Sequence, residues 1–155
     1  MAPTIGTSTA GSWHGFDLQP SQTARVAKSV QVAANDPFRA TTAREQLIGE
    51  IREWALWQDN WDGEGSERPI TSSLKDATLF VNLMPGDMPL PEPMLNATGT
   101  AGLYWKRDGL YADVEFLGNR RVAYYVERQG EDKHKGVIKL RKDEMPAVFT
   151  AVISV

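Results

Sequence analysis

The pattern of apolar and polar positions predicts a helix from about Thr42 to Trp57. Thr42 and Glu45 have the spacing of a capping box, in which the hydroxyl and the carboxylate each bond an unpaired backbone amide at the start of a helix. Apolar residues then recur every three or four positions, which makes one apolar face. The members of this face are Leu47, Ile48, Ile51, Trp54 and Ala55.

A second helix is predicted from about Ser72 to Met84, because an apolar stripe of the same period reappears there. Pro85 and Gly86 end it, since the proline ring removes an amide donor and clashes with the preceding turn. Segment 85–93 then holds four prolines in nine residues. Such a stretch is stiff, and we expect it to cross one domain rather than to separate two. The stripe comprises Ile70, Leu74, Ala77, Val81 and Met84.

From about residue 101 the period of the apolar pattern changes to two, which is typical of half-buried strands. Turns interrupt the alternation at Arg107-Asp108-Gly109 and at Gly118-Asn119. A fourth run, from Val137 to Leu140, follows the polar loop EDKHKG, and we expect an antiparallel meander. The alternating apolar positions are Ala101, Leu103 and Trp105, then Leu110, Ala112, Val114 and Phe116, and then Val122, Tyr124 and Val126.

The predicted fold class is α+β, with two helices packed on a three- to five-stranded antiparallel sheet. We assign residues 21–155 to one domain. The secondary structure of segment 143–155 is undecided between two alternatives. Its Val, Phe and Ile content favours a strand, whereas Pro146 suits the first turn of a helix. An open edge of such a sheet would allow a homodimer.

Residues 1–20 are rich in Gly, Ser, Thr and Pro, which predicts a flexible arm. The arm also carries Trp13 and Phe16. Tryptophan is enriched at binding hot spots. The arm is therefore either a plain disordered tail or a docking arm, and both aromatic residues are partner-binding candidates.

Composition excludes several classes of protein. The chain has 155 residues, a net charge of −3 and no cysteine, so disulfide scaffolds, thiolate catalysis and Cys-based zinc sites are excluded. Its two histidines, His14 and His134, are 120 residues apart. The first residues lack a basic stretch followed by an apolar run, and no window approaches 18 uncharged apolar residues. We therefore expect a cytoplasmic protein without a membrane span.

The loop between the two helices has part of a calcium-binding pattern. With Gly63 at position six, positions one, three and five hold Gln58, Asn60 and Asp62. Position twelve is then Pro69, which offers no side-chain ligand, and position one is neutral. We favour a structural loop, in which glycines supply positive φ and carboxylates accept backbone amides.

This loop also carries a resemblance to small, mostly uncharacterised bacterial proteins. Their pattern is N-W-D-G-x-G-A-x-P, a helix, a proline-rich stretch and G-x-(I/L)-x-x-E-W. Here Tyr104 replaces the acid before the second tryptophan, and Ser66 replaces the alanine. The resemblance covers roughly residues 58–130 and implies no activity. The matching residues are Asn60, Trp61, Asp62, Gly63, Gly65, Pro69, Gly102 and Trp105.

Asp59, Asp62, Glu64 and Glu67 form a carboxylate cluster in the same loop. No histidine, cysteine or Lys-Ser pair has a catalytic spacing, and no GK[ST] phosphate loop follows the glycines. Acidic clusters in loops are mostly capping groups and solvated turns. We predict a protein that is not an enzyme and uses no cofactor or metal, and keep a carboxylate- and metal-dependent enzyme as a third hypothesis.

Charge is unevenly distributed along the chain. Residues 42–92 hold ten acidic and four basic residues, whereas residues 120–142 hold eight basic and three acidic ones. A basic hairpin can contact nucleic-acid phosphates, although lysines on an edge strand also protect against aggregation. The nucleic-acid candidates are Arg120, Arg121, Lys133 and Lys135.

The five tryptophans provide the last indication of function. Trp54 lies on the apolar stripe of the first helix and is expected in the core. Trp61 and Trp105 could stack on each other and hold the loop against the sheet. If exposed, a tryptophan becomes a binding candidate. The loop candidates for partner binding are Trp57, Trp61, Asp62 and Glu64.

We therefore predict a non-enzymatic module that blocks or bridges another macromolecule, most simply a protein. Immunity proteins, antitoxins and phage-encoded inhibitors of bacterial defence are proteins of this type. The alternative is a nucleic-acid-associated accessory protein that uses the basic 120–142 hairpin.

Overall fold

The computed structural model describes residues 37–153, apart from the side chains of 37–41 and 152. The predicted arm, with Trp13 and Phe16, lies outside the described residues. The helices are α1 (Pro37–Glu53), continued by a 3-10 turn (Trp54–Leu56), α2 (Thr71–Leu83) and α3 (Ala147–Ile153). The strands are β1 (Glu92–Leu95), β2 (Ala101–Arg107), β3 (Leu110–Gly118), β4 (Arg121–Arg128) and β5 (His134–Lys139).

All five strands pair antiparallel in the order β1-β2-β3-β4-β5, so each strand lies beside its neighbours in sequence. The predicted α+β class with an antiparallel meander is confirmed. Leu103, Val114 and Val122 point from the central strands into the core. Within the described chain, no helix is both long and apolar enough to cross a membrane.

Helix α1 begins five residues before the predicted start. Pro37 occupies its first position, where a missing amide costs nothing and the fixed φ suits a helix. Thr42 and Glu45 therefore lie inside the helix, and the predicted capping box is wrong as its start. The apolar face is confirmed for Leu47, Ile48, Ile51 and Trp54, which are buried. Ala55, the last predicted member, is exposed.

Helix α2 agrees with its prediction to within one residue at each end. Met84 is extended (φ −60°, ψ 130°), as the residue before a proline prefers. The side chain of Phe80 lies at the centre of the core. Its ring centroid is 5.4 Å from that of Phe116 and 5.1 Å from that of Phe149.

The proline-rich segment is shorter than predicted, because its end forms β1. Pro93 pairs with Leu103 across the first ladder, and an edge strand tolerates a proline whose missing amide faces outward. Earlier in the segment, the indole of Trp105 donates a 2.7 Å hydrogen bond to the carbonyl of Pro89. The segment is thus fixed to the sheet.

Both predicted turns are present in the sheet. Gly109 and Gly118 have φ of 72° and 84°, a region that favours glycine. A Cβ atom on Gly118 would also lie 2.6 Å from the Ser72 hydroxyl. At the same turn, the Arg120 amide donates a 2.6 Å hydrogen bond to the Asp76 carboxylate. Burial raises the pKa of that carboxyl, while this hydrogen bond opposes the change.

Segment 143–155, for which the sequence allows either a strand or a helix, is helical over Ala147–Ile153. The Phe149 amide donates to the Pro146 carbonyl at 3.0 Å, so the proline does precede a first turn. Phe149 is fully buried against Phe80 and Tyr124. The Val, Phe and Ile content that favoured a strand serves core packing instead.

Candidate interaction surfaces

The loop between α1 and α2 is held by hydrogen bonds within its own backbone. The Asn60 amide donates to the Ser66 carbonyl at 2.6 Å, and the Gly63 amide donates to the Asn60 carbonyl at 3.0 Å. Asn60, Gly63 and Gly65 all have positive φ. Asparagine and glycine are the residues that tolerate this conformation best. The prediction of a structured loop is confirmed.

Asp62 stabilises the loop from within. Its Oδ1 atom accepts the amides of Glu64 at 2.8 Å and Ser66 at 3.2 Å. The Glu64 amide is the main reason that the pKa of Asp62 lies below its ordinary value of 3.8. This partner-binding candidate is therefore a structural acceptor within the loop.

The other oxygen atoms of the calcium-like pattern are also engaged. Asn60 Oδ1 accepts the Gly65 amide at 2.7 Å, and Gln58 Oε1 accepts Arg68 Nη2 at 2.7 Å. Asp59 accepts the Arg68 amide at 2.8 Å. Within residues 37–153, no group of three or more His, Asp or Glu side chains is arranged to hold a metal ion. These contacts favour the structural interpretation of the loop.

The loop is docked on the turn between β1 and β2. The amide of Glu67 donates to the carbonyl of Ala97 at 2.7 Å, and that of Ile70 donates to the carbonyl of Gly99 at 2.8 Å. A Cβ atom on Gly99 would lie 2.3 Å from the Arg68 carbonyl oxygen, so only glycine permits this approach. The loop is therefore fixed to the β1 side of the sheet.

Three tryptophans form a row from the core to the surface. The ring centroids of Trp54 and Trp57 are 6.4 Å apart, and those of Trp57 and Trp61 are 5.3 Å apart. Trp61 also donates to the Glu67 carbonyl at 3.0 Å. The predicted stacking of Trp61 on Trp105 is wrong, because Trp61 contacts Trp57 whereas Trp105 is buried against Phe80.

The described chain exposes five large hydrophobic side chains, and three of them belong to this region. Leu56 is 78% exposed, Trp57 40% and Ile70 36%. Single exposed apolar residues are ordinary, whereas contiguous exposed apolar patches mark interaction sites. We call Leu56, Trp57, Trp61 and Ile70 the loop surface.

Acidic side chains border the loop surface. Asp59, Glu64 and Glu67 are all exposed. Among the described residues, the Glu64 carboxylate has no hydrogen-bond or ion-pair partner. Arg68, whose partner Gln58 is neutral, is the one basic residue of segment 58–70. The loop that carries these aromatic side chains is therefore net negative.

The four nucleic-acid candidates do not form one patch. In the ladder between β4 and β5, Arg121 pairs with Lys139 and Tyr125 pairs with Lys135. Four strand positions, ~13 Å at about 3.3 Å per residue, therefore separate Arg121 from Lys135. Lys133 forms a 3.3 Å ion pair with Glu127 on the surface. The candidates Arg120 and Arg121 therefore lie at one end of the hairpin, and Lys133 and Lys135 lie toward the other end.

The basic residues at one end of the hairpin do come together. They line an open depression of about 620 Å³ where β5 leaves the sheet. One of them, Arg141, also contacts Glu144 at 3.1 Å. Lys139, Arg141 and Lys142 are near neighbours in sequence, and the register of the last ladder brings Arg120 to them. The lining residues are Arg120, Lys139, Leu140, Arg141, Lys142 and Asp143.

A row of polar and aromatic side chains on the outer sheet face also escaped the sequence analysis. Tyr104 and Tyr125 flank Asp113 in register. Burial raises the pKa of Asp113. The hydroxyl of Tyr104 donates to the Glu92 carboxylate, which raises the pKa of this tyrosine to about 12. The alternating pattern of β3 could have indicated this row, since it places Asp113 on the outer face of the sheet.

The chain matches no protein-family model, no curated protein and no solved structure.

Proposed function

We propose that this protein acts by binding another protein through the loop surface. The observation that carries the proposal is Trp57, a large aromatic side chain that stays 40% exposed on a hydrogen-bonded loop. Trp is the residue type most enriched at interface hot spots. Its row with Trp54 and Trp61 connects this anchor to the core.

The rigidity of the loop supports binding, because little conformational entropy remains to be lost on association. Asp62 and Asn60 together accept three backbone amides of the loop. Holding a segment in its bound conformation raises affinity mainly by lowering the cost of ordering. A slack linker between two helices would not have this property.

The charge around the loop surface favours one kind of partner. Asp59, Glu64 and Glu67 present negative charge on its border. The complementary partner surface is an apolar cleft with a basic rim. Blocking or bridging such a partner in the cytoplasm is the action of an immunity protein, an antitoxin or a phage-encoded anti-defence protein, and we propose an activity of that type.

The test is a tagged pull-down from the native host with nuclease treatment, read by mass spectrometry, using the wild type and Trp57→Ala. We expect the wild type to retain one stoichiometric protein and Trp57→Ala to lose it. Truncating a hot-spot tryptophan costs ~2 kcal/mol or more, about thirtyfold in affinity.

Tyr111→Ala is the matched control, because Tyr111 has the same 40% exposure on the outer sheet face. It should retain the partner. Equal recovery with both variants would refute the loop surface as the interface. Both variants need an unchanged melting temperature for the comparison to hold.

A nucleic-acid partner is the second candidate, and the basic depression favours it. In that case recovery vanishes with nuclease, and binding falls steeply with salt. Replacing Lys139, Arg141 and Lys142 by glutamine would weaken it, whereas glutamine at Lys133 and Lys135 would not, since these lie at the other end of the hairpin.

A further inference from the structure

Strand β5 is an edge strand of the sheet. Within residues 37–153 it pairs only with β4. The Leu140 amide donates to the Arg120 carbonyl at 2.7 Å, and hydrogen-bonded pairs alternate along an antiparallel ladder. This alternation directs the N–H and C=O groups of Lys135, Val137 and Lys139 away from β4. Among the described residues, nothing bonds to these groups.

The other edge of the sheet is closed to an additional strand. Strand β1 has four residues, and Pro93 supplies no amide donor. A proline on a short edge strand prevents another chain from extending the sheet. Of the two edges, β5 alone offers a continuous row of backbone donors and acceptors.

The side chains on β5 give its edge a specific pattern. Lys135, Val137 and Lys139 share one face, since alternate residues of a strand point the same way. Val137 is 55% exposed, and both lysines are exposed. Arg121 lies opposite Lys139 and adds positive charge there. Along the edge, this face therefore presents a cationic, an apolar and a second cationic side chain.

The strand is held in place from the core side. A Cβ atom on Gly136 would lie 3.2 Å from the Tyr124 ring, so the glycine lets this ring pack against the strand. The same ring meets Phe149 of α3 edge-on, with centroids 5.6 Å apart. An edge fixed in this way is preorganised to receive a partner strand.

A second copy of this chain is disfavoured in the register that uses the whole edge. In a two-fold pairing centred on Val137, Lys135 would face Lys139 of the second copy on both sides. Like charges directly opposite each other destabilise a strand pair. In this register the lysines disfavour a second copy and basic strands, whereas they favour an acidic strand.

We propose that the β5 edge binds an extended acidic segment of a partner protein by strand addition. The segment has the pattern acidic, any, apolar, any, acidic. Its two carboxylates lie opposite Lys135 and Lys139, and its apolar side chain lies on Val137. This site is separate from the loop surface, which is docked on the β1 side of the sheet.

The experiment is an NMR titration of the full-length, ¹⁵N-labelled chain with a capped heptapeptide. In this peptide, threonines separate two glutamates from a central valine. We expect shifts of the amides of β5, centred on Val137, and at least about tenfold weaker binding of the matching peptide with two lysines. The double variant Lys135→Glu, Lys139→Glu should reverse the preference, which a loss of folding cannot imitate.

A peptide with an N-methylated central valine keeps the charges but loses the central donor, and it should not bind. Equal binding of this peptide would overturn strand addition. The proposal also fails if millimolar glutamate peptide gives no shift, or if the shifts depend on protein concentration alone, as for a second copy. Stronger shifts of the same amides with oligothymidylate than with the peptide would likewise refute it.

Discussion

At the scale of single residues, the Ser73 hydroxyl joins a helix to two strands. It donates to the Phe116 carbonyl and accepts the Ala101 amide at 2.8 Å, while the residue is fully buried. Ser73→Ala should lower the free energy of unfolding by about 1–3 kcal/mol, because a buried carbonyl and a buried amide lose their partner. Chemical denaturation measures this change.

Ser72→Ala is the matched control, since Ser72 is only partly buried and is the preceding residue in the same helix. It should change the stability much less. An equal loss in the two variants would show that the effect comes from the helix turn rather than from the buried hydroxyl.

The stabilising contribution of Asp62 to the loop depends on pH. Its pKa is lowered in the folded protein, so its stabilising contribution is complete above the ordinary value of 3.8 and is lost as pH falls through the lower folded pKa. Asp62→Ala should lower the melting temperature at neutral pH. The difference in melting temperature between this variant and the wild type should then disappear at acidic pH.

Thermal melts from pH 7 to about pH 2 test this expectation. Glu64→Gln should match the wild type throughout, because its carboxylate has no partner among the described residues. A neutral-pH melting temperature unchanged by Asp62→Ala would contradict a structural role for this carboxylate.

At the scale of elements, α3 depends on its contacts with the rest of the fold. It has seven residues, and an isolated helix of this length is not stable in water. Phe149→Ala should cost about 3–5 kcal/mol, because it opens a cavity against Phe80 and Tyr124. Val148→Ala is the milder control, since Val148 is only partly buried.

Hydrogen exchange shows which elements of the fold lose stability in Phe149→Ala. We expect Phe149→Ala to lose protection first in α3 and then in β5, which the Tyr124 ring connects to it. A uniform loss across the whole sheet would instead mean that α3 and the sheet open as one unit.

The periodicity of apolar residues predicted the helices and strands that bury one regular face of their own side chains. The stripe around Leu74 located α2, and the alternation from Leu110 to Phe116 located β3, since each buries one face. Strand β1 escaped because Pro93 looks like a linker residue. The start of α1 was misplaced because Thr42 and Glu45 have capping-box spacing inside a longer helix.

At the scale of the whole molecule, the missing information concerned contacts between distant segments. The row from Trp54 to Trp61 and the division of the basic residues both depend on packing and register. The charge asymmetry was visible in the sequence. The fold places the acidic loop and β5 at opposite edges of the sheet, about 19 Å apart at ~4.8 Å per strand. Such a dipole orients a charged partner during approach.

The strictly sequential order of the strands also has a consequence for how the chain folds. Every ladder joins neighbours in sequence, so the sheet has low contact order and pays little loop-closure entropy as it forms. During synthesis each new hairpin can add to a strand that has already emerged from the ribosome. The β5 edge is then the last part of the sheet to form, and an acidic strand would find its binding site only on a nearly finished protein.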